Sequence, residues 1–282
     1  MEAYTEKIRE ISERLLKDGT VEAVIGYRKG SVENSNEPCI VRSSEKINDL
    51  VWDSNCRINL ANYLTNRKDK VAIIAKGCDS RNINTQIIEN KIKRDQLFII
   101  GVPCSGMTKK EDSSDLQENC KVCHHKNPVV YDELVAAEVE ETKVDRYEDV
   151  KKIEAMGVEE KWEFFKDLLE PCTRCYACKN ACPLCYCPTC FVDESKPQWV
   201  GKGMDPIDVR TYHFLRAYHC AGRCTDCGAC ESACPQGINM RHFTKKLEKE
   251  CFDQFAWEAG LNSEERPPLD TFKLDDPQTF IK

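Results

Sequence analysis

The residues best able to do chemistry in this chain are cysteines in a repeated spacing. Cys172-x2-Cys175-x2-Cys178-x3-Cys182-Pro183 recurs as Cys224-x2-Cys227-x2-Cys230-x3-Cys234-Pro235. A thiolate at every third residue lets one turn of chain wrap three corners of a 4Fe-4S cubane, and the proline turns the chain away after the fourth. Where such a run is written twice, the fourth cysteine of each ligates the cluster held by the other. The expected sets are therefore Cys172, Cys175, Cys178 and Cys234 on one cluster, and Cys224, Cys227, Cys230 and Cys182 on a second. Zinc sites use two cysteine pairs rather than a doubled four-cysteine run. The odd total of nineteen cysteines, many in metal-type spacings, argues against a secreted disulfide framework.

Two further groups carry metal-type spacing. Cys56, Cys78, Cys104, Cys120 and Cys123 lie in the first half, the last two as a close pair in ENCKVCHHKNP. Five thiolates exceed by one the four that a cubane needs, so a third cluster is expected here with one cysteine left over or a less usual centre formed. A zinc site, with His124 or His125 joining, is the other chemistry these residues allow. Cys185-x-Cys187-x2-Cys190, together with Cys220, falls between the two runs. This set suffices for another cubane or a tetrahedral zinc, and equally for a shielding loop that binds nothing. Cys251 reads as a small buried hydrophobe, and Cys39 has no partner spacing.

Several elements must position these thiols. Residues 5–18 read as an amphipathic helix with Ile8, Ile11 and Leu15 on one face, Thr5 as cap and Gly19 past the end. VEAVIGY (21–27) and CIVRS (39–43) are β-like, and 44–53 and 57–66 look helical. VAIIAKG (71–77) and LFIIGVPC (97–104) read as buried strands flanking a helix over 82–93 whose Ile83, Ile87, Ile88 and Ile92 share a face. Strand, helix and strand in this order predict a βαβ crossover in a parallel sheet. Ligands sit at the carboxyl ends of such strands, where Cys78 and Cys104 lie. Asp79 and Arg81 in GCDSRN can face a ligand there, though capping the following helix is the simpler role for Asp79. An acidic stretch (132–161) predicts a linker or solvated helix. Helices are expected at 158–169, with Val158, Trp162, Phe165 and Leu169 as a core stripe, and at 241–257. The Pro- and Asp-rich tail reads as extended.

The fold expectation is an α/β domain with a small, partly parallel sheet (1–131) and a linker (132–161). A mainly α dicluster domain follows (162–258, with an insertion at 183–223), then a tail (259–282). The 282-residue length suits two cores. No apolar run approaches the roughly 20 residues that cross a bilayer, and the charged N-terminus predicts no signal peptide. A cytoplasmic location in an anaerobic cell follows as the expectation. Net charge −7 and pI near 5.5 speak against nucleic acid as the partner. No Ser/His/Asp set, paired-carboxylate site or phosphate loop rises above chance, so no catalytic residue is assigned.

VAIIAKGCDSRN, LFIIGVPCSGM and the CKVCHHKNP pair, in that order over residues 20–131, resemble the beta subunits of deazaflavin-reducing hydrogenases and formate dehydrogenases. CTRCYACKNACPLCYCPTCFVDES and RAYHCAGRCTDCGACESACP resemble the bacterial-type dicluster ferredoxin module of fused proteins that accompany flavin- or metal-containing oxidoreductases, heterodisulfide-reductase-like complexes among them. The resemblance implies an iron–sulfur electron-transfer subunit of such a complex rather than a stand-alone enzyme. Its partners would be catalytic and flavin-containing subunits or a soluble ferredoxin. The alternative it implies is a subunit with its own FAD, exchanging hydride with a diffusible deazaflavin or nicotinamide coenzyme. This chain has a short beta-subunit-like part and no G-x-G-x-x-G after a strand. A zinc-bearing scaffold is a third class.

Overall fold

The computed structural model describes residues 2–141, 143–271 and 274–275. A five-stranded sheet in the order β2-β1-β3-β4-β5 organises the first half. Its strands are β1 (Ala23–Lys29), β2 (Asn36–Val41), β3 (Val71–Ala75), β4 (Leu97–Gly101) and β5 (Glu133–Leu134). β1 and β2 form an antiparallel hairpin, and β3 pairs in parallel with β1 on one side and β4 on the other. The βαβ unit forms as its apolar runs require: every residue of β3 is buried, and Val71–Ala75 align with Leu97–Gly101. The acidic stretch contributes β5, which extends the sheet from β4 through Ile100 and Gly101, and the short helix α4 (Glu148–Glu154).

Helix α1 (Glu2–Lys17) covers the sheet with Ile8, Ile11 and Leu15, each adding about 1.5–3 kcal/mol by leaving water. Thr5 lies inside this helix rather than at its cap. Its hydroxyl donates to the Trp52 carbonyl (3.2 Å) and accepts from the Trp52 N–H (3.0 Å). The stretches 44–53 and 57–66 fold as 3-10 turns, Ser44–Asp49 and Leu60–Tyr63, rather than longer helices.

Helix α2 (Gly77–Ile88) begins five residues earlier than its apolar periodicity predicts, because Asp79 caps it: the carboxylate accepts from the Lys76 N–H at 3.0 Å. Its polar face is buried as well as its isoleucines, since the second half of the chain packs on it. Asn82 donates to Thr225 Oγ1 (2.7 Å), Gln86 to the Pro183 carbonyl (2.9 Å) and Asn84 to the Gly260 carbonyl (3.0 Å). These side chains satisfy two backbone carbonyls and a hydroxyl that would otherwise be stranded at the seam.

Among the described residues the second half has helices and turns only. These are α5 (Val158–Leu169), α6 (Ala177–Asn180), α7 (Pro206–His219), α8 (Ala229–Ser232) and α9 (Arg241–Phe255), with α3 (Glu118–Lys121) preceding them in the first half. Phe165, Leu169, Val209, Ile238, Met240 and Phe243 form a core separate from that of the sheet. Val158 is 81% and Trp162 47% exposed, so only the Phe165–Leu169 half of the expected stripe is core. The tail lies partly outside the described residues.

Candidate metal centres

The two cysteine runs fold alike. Arg174 and Asp226, two residues after the first cysteine of each run, have φ of 47° and 53°, and Tyr176 and Gly228, four residues after it, have φ of 61° and 71°. Each run then enters a four-residue helix, α6 or α8. Left-handed residues alternating with ordinary ones turn successive N–H groups to one side and make a concavity for an anion. Two of those N–H groups donate to thiols at 3.4 Å: Arg174 to Cys172 and Asp226 to Cys224. Glycine suits position 228, where φ is positive and a Cβ would lie 2.5 Å from Asn119 Oδ1.

Four cavities are each lined by a set of four of these cysteines. Cys172, Cys175, Cys178 and Cys234 line one. Cys182, Cys224, Cys227 and Cys230 line a second, with Cys220 and Arg216 at its wall. Cys78, Cys104, Cys120 and Cys123 line a third, at the carboxyl ends of β3 and β4. Cys185, Cys187, Cys190 and Cys220 line a fourth. Neighbouring cavities share walls: Cys227 lines the second and third, and Cys220 the second and fourth.

The first two linings bring Cys234 beside the first run and Cys182 beside the second, and the second lining also contains Cys220. In the first half, only the tertiary structure separates four cysteines from five. Cys56 is fully buried in the hydrophobic core, where its thiol accepts from Asn36 Nδ2 at 3.4 Å, and it does not reach the third cavity. Cys251 is buried as expected.

Burial dominates the thiol electrostatics, because low dielectric disfavours a thiolate by more than the nearby Lys76, Arg81 and Arg216 favour it. It pushes Cys104 and Cys227 up to about 12 and Cys120 to about 11, and Cys78, Cys123, Cys224 and Cys230 also upward. Cys182 goes the other way. Hydrogen bonds from Cys185 and Cys220 hold its thiol well below the usual range, and the three sulfurs lie within 4.8 Å of one another.

Two buried charge networks stand behind these cavities, and sequence reasoning reached neither. Lys76 Nζ donates to Asp79 Oδ2 (2.8 Å) and to the Tyr27 hydroxyl (2.9 Å) under the third cavity. Burial works against its charge, but Asp79 and Tyr27 outweigh it and hold its pKa well above the usual value. Asp226 is clasped by Arg241 (Nε to Oδ1, 2.5 Å) and by Lys245. These two cations overcome burial and hold its carboxyl far below the usual range. Arg81 lines the third cavity with a buried Nη2 that has no partner among the described residues. An orphaned cationic N–H at a four-thiol wall fits an anionic metal–thiolate group. His213 and Arg216 on α7 were also missed. His213 Nε2 lies 3.2 Å from Cys172 Sγ, and Arg216 Nη2 donates to the Cys178 carbonyl at 3.0 Å. Asp205-Pro206, a cap followed by proline at the first helical position, was the available signal for α7.

The cations beside the runs serve mainly to tie chain segments together. Arg174 donates to the Gly201 and Gly203 carbonyls (2.7 and 2.8 Å), Lys179 pairs with Asp193, and Arg223 pairs with Glu89. His125 pairs with Glu258 at 2.7 Å, and His124 Nε2 faces the Val144 carbonyl at 2.5 Å.

No family model matches the chain. The chain is similar, as a distant relative, to the F420-dependent formate dehydrogenase subunit beta of Methanocaldococcus jannaschii. They share 22% identity over a 350-residue alignment that takes in 90% of this chain and 91% of that subunit. The likeness thus extends over both halves of the chain and is not confined to residues 20–131.

Proposed function

We propose that this chain is an iron–sulfur electron-transfer subunit of a larger oxidoreductase complex of the formate dehydrogenase, hydrogenase or heterodisulfide-reductase-like kind. It would relay single electrons through 4Fe-4S centres. The first is assigned to Cys172, Cys175, Cys178 and Cys234, as in a bacterial-type dicluster ferredoxin. The second is assigned to Cys182, Cys224, Cys227 and Cys230, and the third to Cys78, Cys104, Cys120 and Cys123. Cys56 is left out because of its place in the core. The observation that carries the reading is the sharing of walls. Cys227 lines both the second and third cavities, so electrons could pass between the two halves without crossing solvent. The similarity to a formate dehydrogenase beta subunit supports the assignment to a multi-subunit redox complex.

Bound clusters would supply one-electron chemistry; the chain supplies everything that places and tunes them. The left-handed turns aim the Arg174 and Asp226 N–H groups at Cys172 and Cys224, and hydrogen bonds to sulfur raise reduction potentials. Asn82, Gln86 and Gln117 lock the two halves together; Gln117 Nε2 donates to Ser232 Oγ at 2.7 Å. Lys76 stands beside Cys78, and Arg216, Arg241 and Lys245 line the thiol cavities, where positive charge offsets part of the burial cost of a thiolate.

Anaerobic purification from the native cell tests the reading. The chain should co-purify with catalytic and flavin-containing subunits and carry at least about twelve irons with matching sulfide. Recovery as a free, flavin-loaded monomer would overturn it.

A further inference from the structure

The function proposed above needs three centres, and the insertion between the two runs builds something more. Its cavity is walled by Cys185, Cys187 and Cys190 from one loop, and by Cys220 from the end of α7. Two observations bear on what this cavity holds.

The first is Arg216. Its side chain is buried, its Nε has no partner among the described residues, and it lines both this cavity and the neighbouring one. Cys185 and Cys220 share the first of these cavities with it, and Cys182 and Cys230 the second. Apart from its hydrogen bond to the Cys178 carbonyl, a buried guanidinium among neutral thiols would be expensive. Facing metal-bound thiolates it is compensated.

The second is the contact of sulfurs across the wall. Cys182, Cys185 and Cys220 lie within 4.8 Å of one another, although Cys182 belongs with Cys224, Cys227 and Cys230. Thiols from two sets therefore meet where the cavities abut.

Spacing chooses the metal. In a tetrahedral zinc site with Zn–S near 2.3 Å, the sulfurs lie roughly 3.8 Å apart. Among the described residues, no three of Cys185, Cys187, Cys190 and Cys220 converge within 4.8 Å, and none of the other three sets does so either. Along the chain, three of the four thiols come from one loop, Cys185-x-Cys187-x2-Cys190, and the fourth from afar, the three-plus-one pattern of each cubane run rather than the two pairs of a zinc site.

We propose that Cys185, Cys187, Cys190 and Cys220 hold a fourth 4Fe-4S centre, abutting the Cys182 set through Cys185 and Cys220. Cys187 is exposed, so this centre brings the cluster chain to the surface at the insertion, where a partner can exchange electrons with it.

The test counts metals in the full-length chain purified anaerobically, with iron-57 Mössbauer quantification of cubane iron and a parallel zinc assay. The expected result is about sixteen irons and sulfides per chain and no stoichiometric zinc, falling to about twelve irons in the Cys187→Ser/Cys190→Ser double variant. A wild-type count near twelve would overturn the fourth centre and leave the three-centre function standing. So would one zinc per chain that the double variant loses, or a count of sixteen that the variant does not change. Should the variant fail to fold, the wild-type iron and zinc counts decide alone. A wild-type count well below twelve would instead bring down the three-centre reading itself.

Discussion

The side-chain amide of Asn82 donates to the hydroxyl of Thr225 at 2.7 Å, with both residues buried. Asn82 stands on α2, one turn beyond Cys78, and Thr225 stands between Cys224 and Cys227. This one bond joins the sheet half to the second cysteine run at the point where their cavities share Cys227.

Asn82→Ala should therefore lower stability by about 1–3 kcal/mol, since it strands the buried Thr225 hydroxyl and also removes the bond from Asn82 Nδ2 to the Cys78 carbonyl (3.0 Å). Anaerobic denaturant unfolding of the full chain measures this. An unchanged midpoint would mean the seam is held without the bond.

Gly77 lies where Cys78 meets the loop that follows Cys123. A Cβ there would stand 2.0 Å from the His125 carbonyl oxygen, a clash with backbone that no side-chain rotation relieves. Gly77→Ala is expected to displace the Cys123–His125 loop and lose about four irons per chain. Full iron retention would show that this loop does not hold a ligand.

Cys56→Ala should leave iron and sulfide unchanged and cost about 1 kcal/mol of stability, as the loss of a small buried group does. Cys104→Ser should release about four irons. If the two results were exchanged, the assignment of four among the five N-terminal cysteines would be wrong.

Arg216 places a buried positive charge in the walls of two thiol-lined cavities and donates to the carbonyl of Cys178, which lines a third. Reduction adds negative charge to a cluster, so removing a nearby cation disfavours the reduced form. Arg216→Gln should shift at least one low-potential couple downward by tens of millivolts, on the order of one unit charge acting at an effective dielectric of about 20. Redox titration followed by electron paramagnetic resonance reads the shift. An upward shift, or none, would mean that this charge does not act on the clusters.

Sequence alone determined what depends on local spacing. Cysteines three residues apart must share a loop, so the members of each run were legible before any fold was known. The doubling of the run is what makes a crossing of Cys182 and Cys234 expected. The parallel β3–α2–β4 unit was legible because its apolar runs match the two periods of strand and helix.

Tertiary structure decided what depends on distant segments meeting. Five N-terminal cysteines become four plus one only when the ends of β3 and β4 and the α3 loop converge and Cys56 is enclosed in the core. Helix α2 reads as amphipathic, yet its polar face is buried, because its partner is the rest of the chain rather than water. The insertion cysteines have a spacing compatible with several chemistries. They come to surround one cavity only where Arg216 and Cys220, brought by α7, close it.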